Sequence, residues 1–381
     1  MKVMMVVARL NIGGVALNVI QMVDALSRLP DMEVILVNGR IGEQEGDMQY
    51  LADQYGIQQI ILPSLGRELS PLRDLQTICS LWRLMRRYRP DVVHTHTAKA
   101  GWVGRWAAWL AGIPVRVHTF HGHVFRGYFS PLKTALFLRL EQLTARLSTR
   151  IITLSETLRV ELADLYHVTD QDRIEVIPLG LALQPFADRA NQQGTLRKTF
   201  HLPPDAPLIG VIGRLVPVKN HRLFLQTAEL LHQQRPDVRF VIIGDGELRQ
   251  TLEKEIIERG LLGIVIITGW LEDVIGAYND LDLVTITSDN EGTPVSLIEA
   301  IAAGIPVVST DVGGVADLFG ENLADQCVPA GDAHALCAAW LRTLDHPPTM
   351  EKAQARILSR YDIQQVAVQH ADLYRRLLNH D

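Results

Sequence analysis

Two glutamates around one helix start set the chemistry open to this chain. Glu291 stands in the polar stretch SDNEGTP (288–294), and Glu299 follows within the apolar run Val295, Leu297, Ile298, Ala300, Ile301. That run reads as a buried helix with Glu299 on its first turns and Glu291 on the loop ahead. Both carboxylates can then face a ligand held at the helix N-terminus, where free N–H groups and the positive end of the dipole favour an anion. Carboxylates suit sugar and ribose hydroxyls, and N–H groups suit phosphate. A nucleotide-sugar carries all of these groups. On spacing alone, a solvated loop glutamate and an ordinary helix glutamate are the simpler reading.

Other residues offer complementary chemistry. GRLVPVK (213–219) places Arg214 and Lys219 just past a strand. Two cations at a strand end can grip a diphosphate and neutralise it as it leaves, since charge-assisted contacts are the strong ones; two exposed loop cations is the bland alternative. Gly13 and Gly14 lie between the first strand and the first helix, where backbone amides can approach a phosphate closely or simply make a tight turn. HTFHGHVF (118–125) carries His118, His121 and His123, and His94-x-His96 precedes it. The HxH pair has no third ligand at suitable spacing and no cysteine cluster, so no metal is expected. Asp280-Leu281-Asp282 lies between a helix end and the strand LVTIT, where Asp282 is expected to cap or terminate structure. Gly244-Asp245-Gly246 has two glycines of a dinucleotide fingerprint without the third and carries little weight.

These residues need elements to hold them. Apolar strands running into glycine open two similar halves, VMMVVARLNIGG (3–14) and LIGVIGRLVPVKN (208–220). In the first half, strands are expected at 34–37, 91–94, 115–120 and 151–154, with helices at 17–29, 71–89 and 131–147. The second half has strands at 208–212, 239–243, 264–268, 283–287 and 306–309, with helices between. Val- and Ile-rich strands alternating with helices indicate α/β domains with parallel sheets covered on both faces. Ligand crevices would lie at the carboxyl ends of the strands, which would put a nucleotide-sugar between the domains. The linker falls in 176–194, giving an N-terminal domain of 1–185 and a C-terminal domain of 186–361. A last helix follows at 362–378.

The chain's 381 residues, 47% hydrophobic and 21% charged, suit a soluble protein of two domains. Its three cysteines form no metal or redox spacing and leave one unpaired, which fits a reducing compartment. The first apolar run is too short for a signal segment, and no run reaches a membrane span. A cytoplasmic protein is expected. The net charge of −6 is uneven: residues 1–185 carry +3 and the remainder −9. Between Arg83 and Arg150, 12 basic residues face only Asp91 and Glu141. Such a patch favours an anionic partner, and without an RNA- or DNA-binding pattern a membrane surface or a diphosphate-bearing acceptor is preferred over nucleic acid. In helix 131–147 the stripe Leu132, Leu136, Leu140, Leu143, Leu147 is expected to be core. The preceding Phe125, Tyr128 and Phe129 are expected at a membrane surface, at the inner face of the cytoplasmic membrane.

Taken together, the 288–314 segment and the Gly-Arg…Lys arrangement of 213–219 resemble the donor site of retaining glycosyltransferases of family 4, particularly those of bacterial surface polysaccharide assembly. The resemblance covers nearly the whole chain. It implies the GT-B architecture, two Rossmann-like domains facing a central cleft, with the final helix (362–381) crossing back onto the first. It implies that Glu299 binds the ribose, and that Glu291 holds the donor sugar near its 3-hydroxyl and stabilises developing positive charge. Arg214 and Lys219, with Gly14, would stabilise the departing diphosphate, and Gly13 would belong to the same nucleotide-sugar site. His121, in a Thr-Phe-His run, would orient the sugar. Trp270 and Leu271 stand where relatives hold the base, with simple loop packing of Trp270 the alternative. Thr293 and Pro294 would present backbone amides to sugar hydroxyls, with Gly292 ahead of them part of the same nucleotide-sugar site. Many relatives carry a glutamate soon after the glycine pair; this chain has Val15, Ala16, Leu17, so no carboxylate role attaches to that loop. The implied reaction is metal-independent, needs no cofactor beyond a nucleotide-sugar that resemblance makes a UDP-sugar, and delivers to a glycan or polyprenyl-diphosphate-linked glycan. A nucleotide-sugar epimerase, a phosphorylase and a non-catalytic sugar- or lipid-binding protein share the shape and stand as alternatives.

Overall fold

The computed structural model describes residues 1–42, 46–66, 70–122, 131–189 and 193–379. Contacts divide the chain into two compact units, one formed by 1–182 with 361–381 and the other by 183–360. His123, Phe125, Tyr128 and Phe129, singled out in the sequence, lie outside the described residues.

The first unit is built on seven strands: β1 (Lys2–Val7), β2 (Glu33–Gly39), β3 (Gln59–Leu62), β4 (Val92–His96), β5 (Val115–Phe120), β6 (Arg150–Thr153) and β7 (Ile174–Val176). They lie in the order β3-β2-β1-β4-β5-β6-β7, and every pairing is parallel. Successive residues of a strand point to opposite faces, so β1 feeds two cores. Val3, Met5 and Val7 pack with the helices α1 (Gly14–Ser27) and α2 (Gln49–Gln54) and with the C-terminal helix Ile363–Asn379. Met4 and Val6 pack with α3 (Pro71–Tyr88) and α4 (Ala98–Leu110). The sheet is therefore doubly wound, and helix α5 (Pro131–Ala145) joins α4 through the 2.6 Å Arg105–Glu141 ion pair. The C-terminal helix is stitched to this unit by the Ile363 N–H donating to the Leu181 carbonyl at 2.9 Å, while Asn18 of α1 donates to Gly180 at 2.8 Å.

Glycine sets how closely α4 lies on the sheet. A Cβ at Gly101 would fall 2.4 Å from His118 Cε1, and one at Gly104 would fall 2.6 Å from Thr95 Cγ2. Any larger residue would push the helix off β4 and β5.

The second unit holds β8 (Leu208–Ile212), β9 (Arg239–Ile243), β10 (Val265–Gly269), β11 (Leu283–Ile286), β12 (Val307–Thr310) and β13 (Cys327–Val328). Their order is β10-β9-β8-β11-β12-β13, again all parallel. Trp340, fully buried, fills the centre of its core and donates its indole N–H to Thr285 at 3.1 Å. The two doubly wound parallel sheets are the architecture expected from the sequence.

The leucine stripe of α5 departs from expectation. Leu132 is 87% exposed, Leu136 59% and Leu143 52%. The helix is anchored instead by Thr144 and Ala145, both buried, and by Leu138 packing beside Phe120 and Ile151. An i, i+4 stripe specifies one helix face but not which neighbour covers it.

Candidate active site

In an open parallel sheet the crevice forms where strand order reverses, at the carboxyl ends of the two central strands. In the second unit those strands are β8 and β11, and the loops leaving them are tied together. Thr287 Oγ1 donates to the Lys219 carbonyl at 3.0 Å, and the Asp289 N–H donates to the Val218 carbonyl at 2.9 Å. Asn220, left-handed at φ 45°, accepts from the Leu223 N–H at 3.2 Å to cap helix His221–Gln234, and its amide donates to Asp289 Oδ1 at 2.8 Å. This frame brings Lys219 Nζ to 2.6 Å from Glu291 Oε1, which also accepts from Ser288 Oγ at 2.6 Å. The Glu291 side chain is 9% exposed and that of Lys219 26%. Seventy-two positions apart in sequence, an ammonium and a carboxylate meet at one strand end. Arg214, on the same β8 loop, is exposed and its side chain has no hydrogen bond or ion pair among the described residues.

Glycines hold the frame by contact with backbone. A Cβ at Gly313, whose φ is +54°, would fall 1.6 Å from the Glu291 carbonyl oxygen, and one at Gly314 would fall 2.4 Å from that of Gly292. The loop after β12 thus sits directly beneath the Glu291 loop. Gly244 and Gly246 do the same for the Arg214 loop, with would-be Cβ atoms 2.0 Å from the Gly213 oxygen and 2.7 Å from the Leu215 oxygen. The Gly-Asp-Gly run therefore serves as a seat for the cation loop.

Helix Val295–Ala302 begins directly after Pro294, which provides no side-chain cap. Proline has no N–H, so the expectation of an amide at 294 fails; its carbonyl instead accepts from Ile298 at 3.3 Å. Gly292 and Thr293 keep their amides. Glu299 falls on the second turn, 8% exposed, and its Oε2 accepts from the Tyr278 hydroxyl at 2.8 Å. Burial pushes the Glu299 carboxyl up to about 7, an effect that the Tyr278 hydrogen bond partly opposes. No described hydrogen bond joins Glu299 to Glu291; each has its own partner. Trp270, 40% exposed, follows β10, and Leu271 beside it is half-buried. Buried His221, next to Asn220, is held down to about 4 by burial and then by the Lys219 charge.

Asp280 and Asp282 belong to the opposite end of this sheet, before β11. The Asp280 carboxylate accepts the Arg197 N–H at 2.9 Å, that of Asp282 accepts the Leu208 N–H at 2.8 Å, and Arg197 pairs with both. Their engagement at strand starts is structural.

In the first unit order reverses between β1 and β4. Gly13 precedes α1, its carbonyl accepting from Leu17 at 3.1 Å, and Gly14 is the first helical residue. Thr97, which follows β4, is strained at φ 71°, and its hydroxyl accepts from Ala8 after β1 at 3.4 Å. Histidines gather here. His94 is satisfied on both ring nitrogens, by Tyr374 at 2.6 Å and Thr119 at 2.7 Å. His118 lies on the other face of the sheet against Thr95, 2.9 Å away. His96 Nδ1 lies 3.0 Å from His121 Nε2. Burial pushes His121 and His370 down to about 4 and holds His94, His96 and His118 well below the usual imidazole value. In all five rings burial favours the neutral form.

Sequence reasoning did not find Tyr278, Ser288 or the seats at Gly313 and Gly314. Tyr278 sits in an apolar helix with nothing local to mark it, and only the glycine pair itself was visible for the seats.

A family model described as Glycosyltransferase Family 4 matches residues 12–184, and one described as Glycosyl transferases group 1 matches 192–358. The UDP-Gal:alpha-D-GlcNAc-diphosphoundecaprenol alpha-1,3-galactosyltransferase of Escherichia coli is 31% identical over 300 residues, 78% of this chain and 76% of that protein. The 2-deoxystreptamine glucosyltransferase of Streptomyces kanamyceticus is 30% identical over 72% of this chain and 73% of its own. Among solved structures, Anabaena Alr3699/HepE in complex with UDP and glucose superposes with a TM-score of 0.83 at 20% identity, covering 99% of this chain and all of that one. The same topology in both units, the motif pairing at the second switch point and matches across both halves lead to one conclusion: the chain belongs to glycosyltransferase family 4 and is a glycosyltransferase of the GT-B fold.

Proposed function

We propose that this enzyme moves a sugar with retention from a UDP-sugar to a polyprenyl-diphosphate-linked glycan in cell-surface polysaccharide synthesis, at the cytoplasmic face of a membrane and without a metal ion. The observation that carries the reading is the Lys219–Glu291 pair at the switch point of the second sheet. A cation for a diphosphate and a carboxylate for a sugar are needed side by side only where the bond between those two groups is broken. In this reading Lys219, Arg214 and the amides of Gly13 and Gly14 stabilise the departing diphosphate. Glu291 accepts from a sugar hydroxyl and offsets positive charge developing at the anomeric carbon. Glu299 receives the ribose hydroxyls, Trp270 and Leu271 the base, Gly292 and Thr293 the sugar, and His121 orients that sugar. The acceptor oxygen forms its bond to the anomeric carbon on the face that the diphosphate leaves, and its proton passes to a donor phosphate oxygen.

The printed name of the E. coli relative supports a UDP donor and a diphosphate-lipid acceptor, whereas that of the Streptomyces relative favours a soluble acceptor as the second reading. The outer side of α3–α5 supports the membrane. Helix α3 exposes Leu72, Leu75 and Trp82 together with Arg73, Arg83, Arg86 and Arg87, and α5 exposes Leu132 and Leu136, the mixture of apolar and cationic groups that an anionic interface attracts. No helix among the described residues is long and apolar enough to cross a membrane.

Mass spectrometry and NMR of a reaction containing UDP-sugar, lipid-diphosphate acceptor and excess chelator test the proposal. An acceptor heavier by one sugar, joined with the donor's anomeric configuration, is expected. A free altered sugar, an inverted linkage or loss of turnover with chelator would overturn the corresponding part.

A further inference from the structure

His96 differs from the other buried histidines of the first unit. It ends β4 and is 2% exposed, with Nδ1 3.0 Å from His121 Nε2. Its own Nε2, and Nδ1 of His121, are shielded from solvent and have no hydrogen-bond partner among the described residues. By contrast His94, two residues earlier, is closed on both sides within the protein. A shielded nitrogen left unmatched costs its full desolvation, a cost that a ligand hydroxyl at this pair would relieve.

The proton count of the pair is constrained. A neutral imidazole carries one N–H, so one proton lies between the two rings. If His121 donates through Nε2, its Nδ1 is a bare acceptor and His96 Nε2 carries hydrogen. If His96 donates through Nδ1, His121 Nδ1 carries hydrogen and His96 Nε2 is bare. In either state the two unmatched nitrogens are one donor and one acceptor, and the tautomers of the rings are locked to each other. The chain turns sharply after His96 at strained Thr97, which fixes the end of β4 against the loop after β1.

We propose that His96 is the positioning residue for His121: the 3.0 Å contact holds the ring in place and couples its tautomer to that of His96, so that Nδ1 is presented to a sugar hydroxyl. This rests on the reading of His121 as sugar-orienting. A hydroxyl both donates and accepts, so it matches His121 Nδ1 in either state. Removing His96 leaves His121 Nε2 without its partner and the ring free to turn away from the sugar.

The test compares His96→Asn, whose amide stands near the Nδ1 position, with His96→Phe and with His96→Gln, whose amide reaches toward Nε2. Long-range ¹H–¹⁵N correlation reads the His121 tautomer, and steady-state kinetics with UDP-sugar reads turnover. His96→Asn, which keeps a partner for His121 Nε2, should keep turnover within a few-fold. His96→Phe and His96→Gln should lower kcat about 10–100-fold, the range seen when a group orienting a metal-bound imidazole is lost. Both should also change the His121 tautomer populations from those of wild type, with the Kd for UDP unchanged. If His96→Phe fails to fold, the Asn–Gln contrast decides. Equal turnover and equal tautomer populations in Asn and Gln variants would overturn the inference. His121→Ala separates the premise from the inference: full activity in that variant would sink the role of His121 itself.

Discussion

Replacing Glu299 with glutamine removes a proton-binding group from the interior of the second unit, and the effect has a definite sign. The carboxyl is pushed from 4.5 up to about 7 by burial. A shift of about 2.5 pH units corresponds to about 3 kcal/mol at 1.36 kcal/mol per unit, as an upper value. The folded state holds this proton more tightly than the unfolded chain does. Stability from this group is therefore complete below pH 4.5 and is lost as pH rises to 7. His221 in the same unit runs the other way, lowered to about 4, but it is common to both proteins and cancels in their difference. Thermal melts of wild type and Glu299→Gln should show the variant gaining on the wild type by up to about 3 kcal/mol between pH 4.5 and 7. Nucleotide binding gives a second readout. Ribose hydroxyls donate to a carboxylate, so binding should expel the proton, up to about half a proton per UDP at pH 7. Calorimetry in buffers of different ionisation enthalpy measures that number. A pH-independent stability difference together with no proton release would refute both the burial argument and the ribose assignment.

Four further outcomes are expected. Lys219→Ala should lower turnover about 10²–10³-fold with the fold intact by circular dichroism; unchanged turnover would contradict its place beside Glu291. Gly313→Ala must find room for a Cβ 1.6 Å from the Glu291 oxygen at φ +54°. It should raise the donor KM about tenfold or more as the Glu291 loop shifts, and a wild-type KM would show that the seat is dispensable. Because burial holds His121 and His370 at about 4, the first unit should lose stability as pH falls from 6.5 to 4, followed by hydrogen exchange in β4 and β5; protection that stays constant across that range would show those rings charged in the fold. Substituting Arg83, Arg86 and Arg87 with alanine should weaken cosedimentation with vesicles rich in phosphatidylglycerol, at about 1 kcal/mol per cation, and leave binding to neutral vesicles unaltered. Equal binding to both vesicle types would remove the anionic-membrane role of α3–α5.

Much of the fold could be read in the sequence because parallel strands buried on both faces leave nearly continuous apolar runs rich in Val and Ile, as in β8, β9 and β11. The strands missed were β3, β7 and β13, of four, three and two residues. Runs so short at sheet edges carry no pattern of their own. The outward turn of the α5 leucines was invisible for a different reason: periodicity identifies a face, and only tertiary packing decides what covers it. At the site, Lys219 and Glu291 were legible through the motif resemblance and not through spacing, since only the β8–β11 switch point makes them neighbours. Tyr278 could not be found at all. Its link to Glu299 is a helix-to-helix contact across 21 residues that no local signal announces.

The helix Ile363–Asn379 completes the core of the unit that the chain begins. Val366, Ala367, Ala371, Leu373 and Tyr374 lie among the residues of β1 and α1. On the ribosome, the amino-terminal sheet must therefore wait for all of 183–360 to emerge before its last wall arrives, roughly 10–35 seconds at ordinary synthesis rates. The segment made second can finish first. Until then the grease of α1 lies bare, and a nascent chain stalled before Tyr374 is the form that chaperones would find.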